Sequence, residues 1–139
     1  MKPGRRMSHY RAGRDREPVT IPLPWGRPPL TGNRTRGNPY ARAKEVDDAF
    51  RIASFAICQA GPRPTVGANV TLHYRPKDRR RRDADGMFPT LKACLDALVK
   101  TGVLPDDSWV HVPAATCRIH PPNGEPAAMW VTLDPIQED

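Results

Sequence analysis

The chain has 139 residues, 38% of them hydrophobic, with 17 prolines and a formal net charge of +7. That length supports one packed core but not two, and no apolar run approaches the ~20 residues of a membrane helix. Charge is unevenly spread. Residues 1–82 hold 19 of the 22 Lys/Arg and 6 of the 15 Asp/Glu, a balance of +13, whereas residues 83–139 hold 3 and 9, a balance of −6. A basic first part points to a polyanionic partner. The carboxylates that follow need a separate reason, because they repel phosphate unless a cation lies between. Cys58, Cys94 and Cys117 are an odd count with no zinc-like spacing, so neither a disulfide framework nor a zinc site is expected. They read as small buried or half-buried side chains.

Residues 1–17 form a basic, polar arm with no hydrophobic period, either a phosphate-touching arm or a solvated tail. The arm has no apolar segment of the kind that a secretory or twin-arginine signal carries. A soluble, cytoplasmic protein is therefore expected, with residues 18–139 as its single domain. Val19–Leu23 reads as a first strand, placed at an edge by Pro22. Residues 24–42 are a Pro/Gly/Asn/Arg-rich loop. Residues 43–60 read as a helix with Val46, Phe50, Ala53 and Ile57 on one stripe, ended by Gly61-Pro62.

From Asn69 to Tyr74 the pattern alternates. Val70, Leu72 and Tyr74 point one way, Thr71 and His73 the other. Residues 76–86 are a charged connector. Pro89 suits the first turn of a second helix, with Leu91, Leu95, Leu98 and Val99 on its buried face. Lys92, Asp96 and Lys100 lie opposite, and Gly102 is a stop. Two further strands follow, Trp109–Val112 (extending toward Ile119) and Ala128–Leu133. The order β-α-β-α-β-β predicts an α+β domain, a small mixed sheet with two helices packed on it.

The informative stretch is Arg79-Arg80-Arg81-Arg82-Asp83-Ala84-Asp85. Arginine runs are usually solvated or phosphate-binding loops, and Asp-x-Asp alone is common. Their adjacency says more. In an extended segment residues i and i+2 share a side, so Asp83 and Asp85 can converge. Two close carboxylates repel, and a divalent cation relieves that with the oxygen ligands Mg²⁺ prefers. Asp106-Asp107 reads two ways, as a Pro-Asp-Asp turn or as the source of a third carboxylate. Lys92 also reads two ways, as an exposed partner of Asp96 or as a cation aimed at a phosphate.

The run Pro76-Lys77-Asp78-Arg79-Arg80-Arg81-Arg82-Asp83-Ala84-Asp85, then Lys92-Ala93-Cys94-Leu95-Asp96-Ala97-Leu98, then Gly102-Val103-Leu104-Pro105-Asp106-Asp107, resembles the RusA family of Holliday-junction resolvases. Leu23-Pro24-Trp25, Pro28-Pro29 and Asn33 extend the resemblance to the first strand and loop. The family occurs in bacteria and their phages. The resemblance implies α+β subunits in a homodimer, Mg²⁺ or Mn²⁺ with no organic cofactor, no membrane partner, and paired symmetric nicks across branched DNA and four-way junctions. It implies that Asp83, Asp85 and Asp107 hold metal and act in catalysis, and that Lys92 is catalytic. Lys77, Arg79, Arg80, Arg81 and Arg82 would then contact the DNA backbone. Two features depart from the family pattern. Gly86 stands where the family has Asn, and the Asp85–Lys92 interval is longer than in its best-known members.

The rival readings are a branched-DNA-binding protein that keeps the fold without cutting, a general nucleic-acid binder, and an Asp-x-Asp enzyme acting on nucleotide sugars. The four arginines, and the absence of a nucleotide-fold signature, weigh against the last. His9, His73, His111 and His120 have no HNH-like spacing, and His73 and His111 read as strand residues. Trp109 and the apolar face of the first helix read equally as core or as dimer interface. The few aromatics give no sign of a base-stacking platform.

Overall fold

Alternating burial builds the sheet. In the strand β2 (Ala68–Arg75), Ala68, Val70, Leu72 and Tyr74 are buried, and the residues between them are half-buried. In β4 (Ala128–Pro135), Met129, Val131 and Leu133 are buried in the same rhythm. Together with β1 (Val19–Leu23) and β3 (Ala115–Ile119) they form one four-stranded mixed sheet in the order β1-β4-β2-β3. The β1–β4 and β4–β2 pairs are antiparallel, and β2–β3 is parallel. The computed structural model describes residues 17–30 and 38–136. The arm 1–16 and Asn33 lie outside the described residues. β1 is an edge strand, which is where Pro22 is tolerated, since an edge does not need every N–H.

Two helices cover one face. The first, α1, spans Pro39–Ala60, so it begins four residues before position 43, inside the expected loop. Asn38 is the reason. Its side-chain oxygen accepts the Tyr40 N–H at 2.8 Å, and Pro39 follows in the first turn. The helix ends at Gly61, whose φ of 63° is left-handed and whose N–H reaches the Ile57 carbonyl at 3.0 Å. Its buried residues are Ala49, Ala53, Ala56 and Ile57. Val46 is 42% exposed, so the buried stripe is rotated from the one expected and rests mostly on alanines. The second helix, α2 (Phe88–Lys100), buries Thr90, Leu91, Ala93, Cys94, Ala97 and Leu98. Leu95 and Val99 pack at the margin of the core. No helix among the described residues is long and apolar enough to cross a membrane.

Trp109–Val112 is a turn, not a strand. The N–H groups of His111 and Val112 both return to the Ser108 carbonyl, at 2.9 and 2.8 Å. A chain closing on itself in this way does not run extended beside a neighbour, and β3 starts only at Ala115. Trp109 is 79% exposed and is not core. His111 is not a strand residue either; its Nδ1 pairs with the Val66 carbonyl at 2.8 Å. The turn is pressed against the start of β2, where the Ala68 N–H meets the His111 carbonyl at 2.8 Å. A Cβ on Gly67 would lie 2.5 Å from that carbonyl oxygen, so only glycine admits the approach. Cys94 is buried and Cys117 half-buried, but Cys58 is exposed, which departs from the expectation for it.

Thr90 ties the loop after β1 to α2. It is fully buried; its hydroxyl donates to the Leu30 carbonyl at 2.9 Å and accepts the Leu30 N–H at 3.2 Å. Thr90→Val keeps the shape but strands both groups of Leu30. It should destabilise the fold by about 2–4 kcal/mol in urea unfolding, with Thr90→Ser costing clearly less.

Candidate functional site

The arginine loop begins where β2 leaves the sheet. Asp78 organises it. Its carboxylate accepts the Arg80 N–H at 3.2 Å and the Arg82 guanidinium at 2.7 Å. Arg82 also donates to the carbonyls of Asp78 and Arg80, at 3.0 and 2.9 Å. Its guanidinium carbon lies 5.7 Å from the centre of the Tyr74 ring. A planar fork of donors suits three acceptors at once. Arg82 is thus a staple folded inward, its side chain 23% exposed, while those of Arg80 and Arg81 are 83% and 89% exposed. Arg79 and Lys77 are exposed as well. The four arginines therefore divide: one holds the loop, and three face solvent with Lys77.

The Arg82 hydrogen bond, seconded by the Arg80 amide, holds the Asp78 carboxyl below the usual carboxylate range, and the same bond raises Arg82. The sign follows. The lowered carboxyl favours the folded loop at and above ordinary carboxylate pH, and that contribution is lost only as pH falls through the lowered value.

Asp83 and Asp85 come next. Asp83 is extended (φ −102°, ψ 135°), but Asp85 lies in a single 3₁₀ turn, Ala84–Met87, that leads into α2. The extended i, i+2 geometry expected for the pair is therefore not the one adopted. The turn forms because the Gly86 N–H closes on the Asp83 carbonyl at 3.1 Å and Met87 inserts into the core at 2% exposure. Both carboxylates stay at the surface; Asp83 lies 3.6 Å from the Arg81 Nε.

Asp107 sits elsewhere in sequence but is brought to α2. The chain after that helix folds back along it, and Lys92 Nζ meets Asp107 at 3.0 Å across fifteen residues. Lys92 also meets Asp96 at 3.1 Å, the pairing that one of its two sequence readings expected. The hydrogen bonds to Asp107 and then Asp96 raise the Lys92 ammonium above its ordinary value, and Lys92 lowers the Asp107 carboxyl. Between Asp85 and Lys92 the chain passes from the 3₁₀ turn directly into α2 at Phe88.

As donors, the three carboxylates suit a hard divalent cation. They are not gathered: among the described residues no three His, Cys, Asp or Glu side chains lie together in a group able to hold a metal ion. The structure brings Lys92 to Asp107 and Asp96, and Arg81 to Asp83. Sequence reasoning missed the Asp78–Arg82 staple, although an Asp four residues before an Arg is a readable signal. It also passed over His120, which lines a cleft of about 210 Å³ with Arg79, Arg80 and Arg82. No short spacing marks that histidine.

No family model matches this chain, and no curated protein is significantly similar to it in sequence.

Removing the staple tests its role. Asp78→Asn should speed tryptic nicking at Arg79–Arg81 several-fold under native conditions, since cleavage follows local opening. Arg80 amide protection in the parent protein should persist through the ordinary carboxylate range and fail only on further acidification, because the Asp78 carboxyl is lowered.

Proposed function

We propose that this protein is a metal-dependent endonuclease of the RusA type, which resolves four-way DNA junctions by paired symmetric nicks as a homodimer. The observation that carries the reading is the meeting of Lys92 with Asp107 at 3.0 Å. These two residues lie in separate parts of the resolvase-like sequence pattern, and the fold places them side by side. The α+β architecture with a four-stranded mixed sheet and two helices is compatible with it.

Asp83, Asp85 and Asp107 are the residues that would hold Mg²⁺ or Mn²⁺. Bound there, the cation would supply a water of lowered pKa and offset negative charge on the phosphate. The chain's own groups do the rest. Lys92, charged throughout the neutral range, stands beside Asp107 and places a fixed positive charge where a scissile phosphate needs one. The exposed side chains of Lys77, Arg79, Arg80 and Arg81 hold the backbone on either side; such contacts position DNA without reading sequence. Arg82 acts on DNA only through the loop that it holds. Gly86 has open space where a Cβ would stand, so the position admits a side chain such as the family's asparagine, whose polar group this chain lacks. A junction has near two-fold symmetry, and a C₂ dimer presents two equal sites to it.

Cleavage of an immobile four-way junction decides the matter. Symmetric nicks should appear with Mg²⁺ or Mn²⁺, vanish in EDTA and in Asp83→Asn, and slow by about a hundredfold or more in Lys92→Ala. Junction binding without cleavage under either metal would overturn the enzyme and leave a branched-DNA-binding protein.

Salt dependence separates the arginines. Arg79→Gln should reduce the log–log slope of junction affinity against salt by about 0.9, the loss of one phosphate contact. Asp78→Asn leaves Lys77, Arg79, Arg80 and Arg81 in place but removes a carboxylate and frees Arg82, so any change in its slope reports on Arg82 and the loop it holds.

A further inference from the structure

Three rings meet on the face of the sheet opposite the helices. His73 on β2 is paired in register with Trp130 on β4. Their rings are parallel within 3°, with centres 5.1 Å apart. The His120 ring, just past β3, lies 5.0 and 5.1 Å from these two. Hydrogen bonds fix the group: His73 Nδ1 to His120 Nε2 at 2.8 Å, and His73 Nε2 to the Thr132 hydroxyl at 2.9 Å. Both nitrogens of His73 are thus engaged, whereas His120 Nδ1 has no partner among the described residues. Arg75 lies over Trp130 at 5.7 Å and donates to the Pro126 carbonyl at 3.1 Å.

His120 also forms part of the cleft whose other wall carries Arg79, Arg80 and Arg82. Asp78 is the one carboxylate lining it, and that group is already bonded to Arg82 and 3.6 Å from Arg80. Arg79 has no carboxylate partner among the described residues. The charged and titratable groups about His120 are therefore His73 and Arg75 from β2, Arg118 from β3, and Asp78, Arg79, Arg80 and Arg82 from the loop. The balance is positive and the space is open: a site for an anion.

The histidine pair determines how a proton enters. When His73 donates from Nε2 to Thr132 and accepts at Nδ1 from His120 Nε2–H, His120 Nδ1 is the bare position. One added proton there leaves both hydrogen bonds intact and makes the inter-ring bond charge-assisted. A second proton, on His73, would break the pair. Burial first, then Arg118 and Arg75, oppose that first proton and hold His120 below its ordinary range. An anion in the cleft would offset that opposition by its attraction for the protonated ring.

We propose that this cleft is a subsite for one phosphodiester of a nucleic-acid strand, and that His120 takes up a proton from solvent as the phosphate enters. The proposal rests on the preceding section only in taking nucleic acid as the ligand; it needs neither metal nor cleavage. Proton and anion are then mutually linked: each tightens the other by the same factor.

The test follows the histidine ring proton signals by NMR against pH, in EDTA. The whole protein is measured in sodium sulfate and in sodium chloride of equal ionic strength, then with the dinucleotide dTpdT. Sulfate and a phosphodiester both keep their charge across the histidine range, so the shift belongs to the protein. The signal that His120→Gln removes should titrate about half a unit or more higher in sulfate and in dTpdT than in chloride, a threefold or greater preference of the anion for the protonated form. His120→Gln should abolish the pH dependence of anion binding, and Arg79→Gln, on the opposite wall, should weaken binding at every pH. A His120 midpoint unmoved by either anion would overturn the subsite. A response to sulfate without one to dTpdT would overturn its assignment to nucleic acid. A protein that never cuts junctions can still pass, so the two readings fail separately.

Discussion

The parallel pairing of β2 with β3 is the constraint on which the rest depends. Antiparallel neighbours can be joined by a tight turn, but parallel neighbours need a crossover that returns the chain to its starting end. Here the partners Thr71 and Thr116 are forty-five residues apart. Everything proposed to act on DNA at the junction lies on that one connection: the arginine loop as the chain leaves β2, Asp83 and Asp85 in the 3₁₀ turn, Lys92 on α2, and Asp107 on the way back. The crossover must pack α2 on the sheet, so its return leg runs beside the helix. That packing brings Asp107 within reach of Lys92, and their ion pair closes the contact.

Electrostatics then sorts residues that composition treats alike. Four consecutive arginines carry the same charge, yet the backbone turn places Arg82 over its own loop, with three acceptors in reach. Its positive charge is spent internally on Asp78. The other three meet solvent and supply the external field. Lys92 shows the converse. It has two carboxylate neighbours and still keeps a largely exposed ammonium, so it is positioned without being sequestered. Positive potential of this kind steers an anionic partner and holds it without choosing a base sequence.

Much of the fold was legible because its signals are periodic. The alternation in β2 and β4 marked the buried face residue by residue, and Pro22 marked an edge. What the sequence hid were effects of single residues and of distance. Asn38 moved the start of α1 because a cap acts locally and leaves no period. The closure on Ser108 turned Trp109–Val112 away from a strand that its composition favoured. At the site, the acidic and basic residues were readable as types, and the longer Asp85–Lys92 interval was readable as a count. That the chain there forms a 3₁₀ turn was not, since the turn is set by Met87 finding the core. The histidine pair was invisible for another reason: His73 and His120 meet only because two strands are parallel neighbours, and no spacing encodes that.

The strand order has a bearing on how the molecule is made. β4 is the last strand in the chain among the described residues, yet it lies between β1 and β2. Until it arrives, β1 has no partner, and β2 lacks the neighbour that contributes Met129, Val131 and Leu133 to the core. Pairing of this range is slow, because the closure entropy of a long loop is paid before any contact rewards it. During synthesis the helices and the basic loop would leave the ribosome ahead of the strand that joins the sheet's two halves. The charged segment is exposed before its scaffold exists, and the nascent chain completes this sheet by inserting β4 into the middle.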